Sequence, residues 1–325
     1  MKYRDWLYEW LENFVKPNIK ENTYCKYISQ SGAYIVPALG DCPLGGITAL
    51  TLQKFVAGLN ARGLSPATVN GLITLLKGSL KKAVLLGLCE REFTDCIRRP
   101  HPSEGKTGCF TLAEQRKIEV YILSDENPKL CGIILCLYTG LRIGELLALE
   151  WGDVDFSKGT ITVSKTCRDG WRNGAYFKIV GTPKTSNSYR TIPVPKQILA
   201  MLKWCRRRRR SEYVCEGRSR YGAQVRSYQR TFETLLKKLG IPHRGFHSLR
   251  HTFATRALEV GMDVRTLSEI LGHNNPAITL KRYAHSLMEH KVQMMNRLGR
   301  LFEDKTKKPA AESVAGHVHG INQSM

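Results

Sequence analysis

The sequence predicts a mainly α chain with one small antiparallel β-sheet (α+β), built as two domains, and three observations carry that expectation. Apolar residues recur at steps of three and four from Tyr3 to Val84 and again from Lys196 onward, the period of helices with one buried face. Only between residues 160 and 194 does the pattern change to short β-rich runs separated by Gly, Asn and Ser. A polar stretch with two prolines, Arg98 to Gly105, interrupts everything, as an interdomain linker would. A length of 325 residues suits about two domains. With 42% hydrophobic residues and 24% charged, the chain is not a disordered one.

The elements follow in order. Tyr3, Trp6, Leu7, Trp10, Leu11 and Phe14 line one face of a first helix. A second covers Thr23 to Val36 and stops at Pro37, whose ring cannot continue it. Thr51 caps a third, with Leu52, Phe55, Val56 and Leu59 inward and Gly63 past its end. Ser65 and Pro66 open a fourth, striped by Val69, Leu72, Ile73, Leu76, Leu80 and Val84. Residues 1–106 therefore read as an all-α domain, with its linker at 98–106. The second domain, 107–303, starts with helices, among them the apolar run Leu130 to Leu141. It then carries strands at 160–164, 176–180 and 189–194 forming a three-stranded antiparallel sheet, with Arg168 to Gly174 as a long loop. Helices return from Lys196 to about Phe302. Residues 304–325 are polar and patternless, a tail expected to be disordered.

Charge narrows the function. Fifty Lys and Arg stand against 28 Asp and Glu, a net +22, which draws a protein to polyanions, nucleic acid first among them. Residues 1–106 hold 14 basic against 9 acidic, or +5, and the remainder 36 against 19, or +17. No run reaches the roughly 18 apolar residues of a membrane span. Asp5, Glu9 and Glu12 break the uncharged centre that a secretory signal needs. A cytoplasmic protein is expected. Ten cysteines without a Cys-x-x-Cys pair signal neither zinc nor disulfides.

Four segments carry chemistry: Thr139-Gly140-Leu141-Arg142-Ile143-Gly144-Glu145-Leu146; Thr182-Pro183-Lys184-Thr185; His247-Ser248-Leu249-Arg250-His251; and Leu271-Gly272-His273 followed by Tyr283. Arg142 and Glu145, three apart, make an ion pair on one helix face by themselves. His247 and Arg250 can likewise share an anion. A histidine stripe at His243, His247 and His251 suggests a metal, but Pro242 and Gly245 interrupt the helix and no nearby carboxylate completes a site; His251 reads more simply as a core histidine. Val264 to Ala284 also resembles a helix-turn-helix reader of DNA. Two arginines, a lysine, two histidines and a tyrosine together suit one phosphodiester, because guanidinium forks fit phosphate oxygens and stay charged. The run Arg206, Arg207, Arg208, Arg209 and Arg210 is either a phosphate contact or a solvated face.

Taken in this order and spacing, these residues resemble the tyrosine recombinases of the phage integrase family over roughly residues 107 to 300. The resemblance implies a catalytic domain preceded by a helical core-binding domain, for which Pro37-Ala38-Leu39-Gly40 and Gly63-Leu64-Ser65-Pro66 are weaker signatures. It implies Tyr283 as nucleophile, Arg142, Arg250, Lys184, His247 and His273 as catalytic residues and Glu145 as support for Arg142. Many integrases of mobile elements carry a further N-terminal arm-binding domain, and a core-binding helix at Met1 counts against one here.

The function so implied is a site-specific DNA recombinase, an integrase or excisase of a mobile element, working through a 3'-phosphotyrosyl intermediate with no metal and no cofactor. The implied partners are double-stranded DNA, three further copies in a homotetramer on two paired sites, and an excisionase-like accessory protein. The stripe Leu287, Met294, Met295, Leu298, Leu301 and Phe302 either folds back in cis or, as in related recombinases, docks into a neighbour. A Xer-like resolvase of chromosome dimers and a type IB topoisomerase share the chemistry. A non-catalytic DNA-binding regulator shares the fold alone, and Tyr283 with both arginines argues against it.

Overall fold

The computed structural model describes residues 1–101, 108–125, 127–172, 175–182, 189–217, 222–273, 292, 294–296 and 298–300. The chain divides into two compact units, 1–106 and 107–325. The first contains α1 (Tyr3–Trp10), α2 (Glu21–Gln30), α3 (Val36–Leu39), α4 (Ala49–Ala61) and α5 (Pro66–Leu85). The second contains α6 (Leu112–Ser124), α7 (Cys131–Thr139), α8 (Ile143–Ala148), β1 (Val154–Asp155), β2 (Thr160–Val163), β3 (Thr166–Arg172), β4 (Ala175–Gly181), β5 (Arg190–Pro193), α9 (Lys196–Arg207), α10 (Val225–Lys238), α11 (His247–Glu259) and α12 (Val264–Leu271).

In the first unit the apolar stripes close on one another. Tyr3, Trp6, Leu7, Trp10 and Leu11 are buried against Val69, Leu72, Ile73, Leu76 and Leu80. Polar atoms fix the fit: the Tyr3 hydroxyl lies 2.6 Å from Ser79 Oγ, and Trp6 Nε1 donates to the Ser79 carbonyl at 3.0 Å. Three local expectations are corrected. A π-turn over Leu11–Val15 follows α1 and leaves Phe14 at the surface under Lys82, with Val15 inward instead. The second helix does not stop at Pro37, because a second π-turn, Ser31–Ile35, widens the backbone ahead of the proline and the helix resumes as α3. The cap of α4 is Thr48, whose Oγ1 accepts from the Thr51 N–H at 3.2 Å. Ser65 caps α5 as expected, with Pro66 in its first turn.

In the second unit α7 is buried along nearly its whole length and packs on α9 and α11. The sheet differs from expectation. β2 pairs antiparallel with both β1 and β5, with Ile161 opposite Ile192 and Val163 opposite Arg190. The run at 176–180 belongs to β4, which pairs with β3 as a separate hairpin, so the expected loop from Arg168 is strand as far as Arg172. Strand composition reveals a strand but not its partner. One cross-strand pair of the hairpin ties it down: Asp169 accepts from the Val225 and Arg226 N–H groups opening α10 at 2.8 Å each, and Lys178, opposite it, donates through Nζ to the Leu147 carbonyl at 2.7 Å. Among the described residues no helix is long and apolar enough to cross a membrane.

Candidate active site

Two glycines explain why the Thr139–Leu146 segment has its sequence. Gly140 ends α7 in the left-handed region at φ 64°, where a Cβ would lie 2.6 Å from the Phe253 ring. At Gly144 the β3 backbone passes so near that a Cβ would stand 2.6 Å from the Cys167 carbonyl oxygen. Between them the chain turns out of α7, and Arg142 precedes α8 with its side chain 37% exposed. Glu145, buried at 4% exposure, accepts from the Arg142 N–H at 3.0 Å and from Arg142 Nη1 at 2.8 Å. The expected Arg142–Glu145 ion pair therefore exists, as part of something larger.

That larger assembly is the C-terminal end of α12. The last carbonyls of a helix have no partner within it and carry the negative end of its dipole. Here arginines supply the donors: Arg142 Nη1 and Nη2 reach the Leu271 and Gly272 carbonyls at 3.4 and 3.3 Å. Arg250, only 2% exposed, donates to the Gly140 carbonyl and to the Leu271 carbonyl at 2.7 Å each. Its Nη2 also stands 2.9 Å from His273 Nε2. Gly272, left-handed at φ 65°, closes α12 and delivers His273 to this point, half-buried.

A third arginine, which sequence reasoning missed, completes the set. Arg190 Nη2 and Nη1 fork onto Glu145 Oε2 and Oε1 at 2.8 and 3.2 Å, and its Nε donates to the Ile270 carbonyl at 2.6 Å. A signal existed: Arg190 alternates with Ile192, so strand periodicity puts it on the inward face, where a cation requires a buried acid. Burial alone would raise the Glu145 pKa, but the Arg190 and Arg142 cations outweigh it and hold the carboxyl below its ordinary value.

The remaining expected residues fall as follows. His247 opens α11, exposed, one turn before Arg250, with its ring edge-on to buried His251 at 4.6 Å. His243 is exposed and 3.7 Å from Glu233. Among the described residues no three His, Cys, Asp or Glu side chains gather as a metal group. Arg206 to Arg210 are all exposed at the end of α9. Lys184, Tyr283 and the turn-and-helix expected after His273 lie outside the described residues, as do Leu287, Leu301 and Phe302. Met295 and Leu298 are exposed.

Two guanidinium groups and an imidazole meet at one helix end with a buried carboxylate behind them, a grouping of donors and positive charge of the kind that suits a phosphate oxyanion. The phage integrase family model matches residues 116–290, more than half of the sequence, and a phage integrase N-terminal SAM-like domain matches residues 2–60. A XerC-like tyrosine recombinase of Caldanaerobacter subterraneus subsp. tengcongensis is 31% identical over 92% of this chain and 83% of its own. The ICEBs1 integrase of Bacillus subtilis is 27% identical over 87% of this chain and 78% of its own. The fold is that of the Tn1549 transposon integrase, solved in complex with a circular intermediate DNA, with a TM-score of 0.78 at 23% identity, covering 92% of this chain and 99% of that one. The chain belongs to the phage integrase family. It is a tyrosine-type site-specific DNA recombinase of the kind that mobile elements carry.

Proposed function

We propose that the protein integrates and excises a mobile element by cutting each DNA strand with Tyr283, and that the cation cluster at the end of α12 is where the scissile phosphate sits. One observation carries this reading: Arg142, Arg250 and His273 converge on the same few atoms, with Arg250 Nη2 2.9 Å from His273 Nε2.

Phosphodiesters resist attack because nucleophile and phosphate are both electron-rich. Arg142, Arg250 and His273 supply positive charge where the five-coordinate phosphorus gains negative charge, and their fixed hydrogen bonds mean that little has to reorganise during the reaction. The Tyr283 hydroxyl, with a free pKa near 10, gives its proton to His247 as its oxygen attacks phosphorus. A phosphorus–tyrosine bond forms, the bond to the 5' oxygen breaks, and Lys184 protonates that leaving oxygen. The 5' hydroxyl of a partner strand then attacks the 3'-phosphotyrosyl bond and frees Tyr283. Each exchange conserves a phosphoester, so the scheme calls for neither ATP nor metal. Residues 1–106 serve as the core-binding domain, and phosphate contacts give most of the affinity while a few base contacts give the site.

Stoichiometry argues for a tetramer: recombining two duplexes breaks four strands, and each protomer brings one Tyr283. An excisionase-like accessory protein would set direction. The exposed Met295 and Leu298 suit a terminal helix that docks on the next protomer. Deleting residues 288–325 should then leave single-site binding intact and abolish the tetramer. A nicked suicide substrate tests the chemistry. The native protein should yield a denaturation-resistant DNA adduct and Tyr283→Phe none; an adduct with the Phe variant would remove Tyr283 from its role. A resolvase of chromosome dimers is the second reading, favoured by the 31% identity to a XerC-like recombinase.

A further inference from the structure

Arg190 is 6% exposed and commits its donors inward, two to Glu145 and one to the Ile270 carbonyl. Its effect falls on what Glu145 leaves to Arg142. A buried carboxylate demands a full set of donors. Because Arg190 takes the fork, Arg142 holds Glu145 by a single side-chain bond and rests on the Leu271 and Gly272 carbonyls through longer ones, with 37% of its side chain exposed. The Ile270 carbonyl accepts from Arg190, the Leu271 carbonyl from Arg142 and Arg250, and the Gly272 carbonyl from Arg142. His273 follows directly, so the same bonds place the imidazole.

We propose that Arg190 is a positioning residue of the cleavage site: it neutralises Glu145 so that the charge of Arg142 stays available to the phosphate, and it anchors the end of α12 that carries His273. The inference rests on the reading of Arg142 as a phosphate-binding group. Without Arg190, Glu145 would draw the Arg142 guanidinium inward and the α12 terminus would lose a donor. A lysine at 190 restores the charge but cannot span both carboxylate oxygens and the Ile270 carbonyl in one plane.

The test is single-turnover cleavage of the suicide substrate at saturating DNA by Arg190→Gln, Arg190→Lys, Arg142→Lys and the Arg190→Gln/Arg142→Lys double variant. Site affinity and thermal midpoint are followed alongside. Arg190→Gln should cut about 100-fold more slowly, as expected for a misplaced catalytic group, with site affinity retained and Arg190→Lys in between. In the Arg142→Lys background the same Arg190→Gln change should cost far less, because the two act through one another. Equal cost in both backgrounds, or native-rate cutting by both Arg190 variants, would overturn the proposal. Should Arg190→Gln not fold, Arg190→Lys carries the same comparison in both backgrounds. Native-rate cutting by Arg142→Lys would sink the reading of the site itself, and the inference with it.

Discussion

Two groups of arginines in the second unit have the same chemistry and opposite surroundings. Arg142, Arg190 and Arg250 are held by a buried carboxylate and by the terminal carbonyls of α12, with Arg190 and Arg250 almost wholly buried. Arg206 to Arg210 are all exposed; the Arg206 guanidinium lies over the Phe156 ring at 5.1 Å and that of Arg208 over Trp204 at 4.2 Å. The first group holds its charge in place through directed hydrogen bonds. The second raises the local positive potential without fixing its position. Catalysis needs the former, since only a preorganised charge is worth more in the transition state than in the ground state.

The largest effects should therefore come from the buried group. Arg250→Ala should lower the rate of covalent adduct formation on the order of 1,000-fold, the loss typical of a removed transition-state donor, while replacing any one arginine of the exposed run leaves the rate at saturating DNA unchanged. Similar losses from both groups would erase the distinction.

A third kind of cation sharpens the comparison. Lys184, in its flexible ammonium, would work by moving a proton rather than by standing still. Lys184→Ala should slow cleavage of a normal 5' oxygen by about 100-fold or more and recover on a 5'-bridging phosphorothioate, whose sulfur leaves unprotonated. Equal impairment on both substrates would assign Lys184 to binding instead.

Glu145 should matter first to stability. Glu145→Ala leaves Arg190 buried without its acid and should destabilise the protein by about 3–5 kcal/mol, read from denaturant midpoints. The pH dependence has a definite sign. The folded carboxyl lies below its ordinary value of 4.5, so the unfolded chain binds the proton more readily. The contribution is complete above pH 4.5 and disappears as pH falls through the lower, folded value. Unfolding midpoints of the native protein should drop across that acid window more than those of Glu145→Gln; parallel curves would show the carboxylate uncoupled from the arginines.

The sequence was readable wherever spacing along one helix or one loop carried the chemistry. Arg142 and Glu145 three apart, Arg250 on its helix and His273 after Leu271-Gly272 are local patterns. Arg190 escaped because its partners lie 45 and 80 residues away: alternation with Ile192 marks an inward face, but which acid and which carbonyl it meets there is set by tertiary packing. The same limit explains the sheet: Tyr176 to Val180 reads as a strand, but its pairing with β3 rather than β2 is set by tertiary packing. In the first unit the stripes of α4 and α5 were plain from the sequence. The two π-turns were not, since one extra residue per turn leaves no compositional mark.

The smallest effect belongs to the exposed run, and it decides what that charge is for. If Arg209 and Arg210 each neutralise a phosphate, binding releases their counterions, and log affinity falls with log salt by about 0.9 per contact. Arg209→Ala with Arg210→Ala should then flatten that slope by about two contacts and weaken binding to target and random duplex alike, because phosphate contacts carry no sequence information. Measured at saturating DNA, the cleavage rate should stay native, which separates the run from Arg250. An unchanged salt slope would leave the run as a solvated face and move the origin of the second unit's DNA affinity to other cations among its 36.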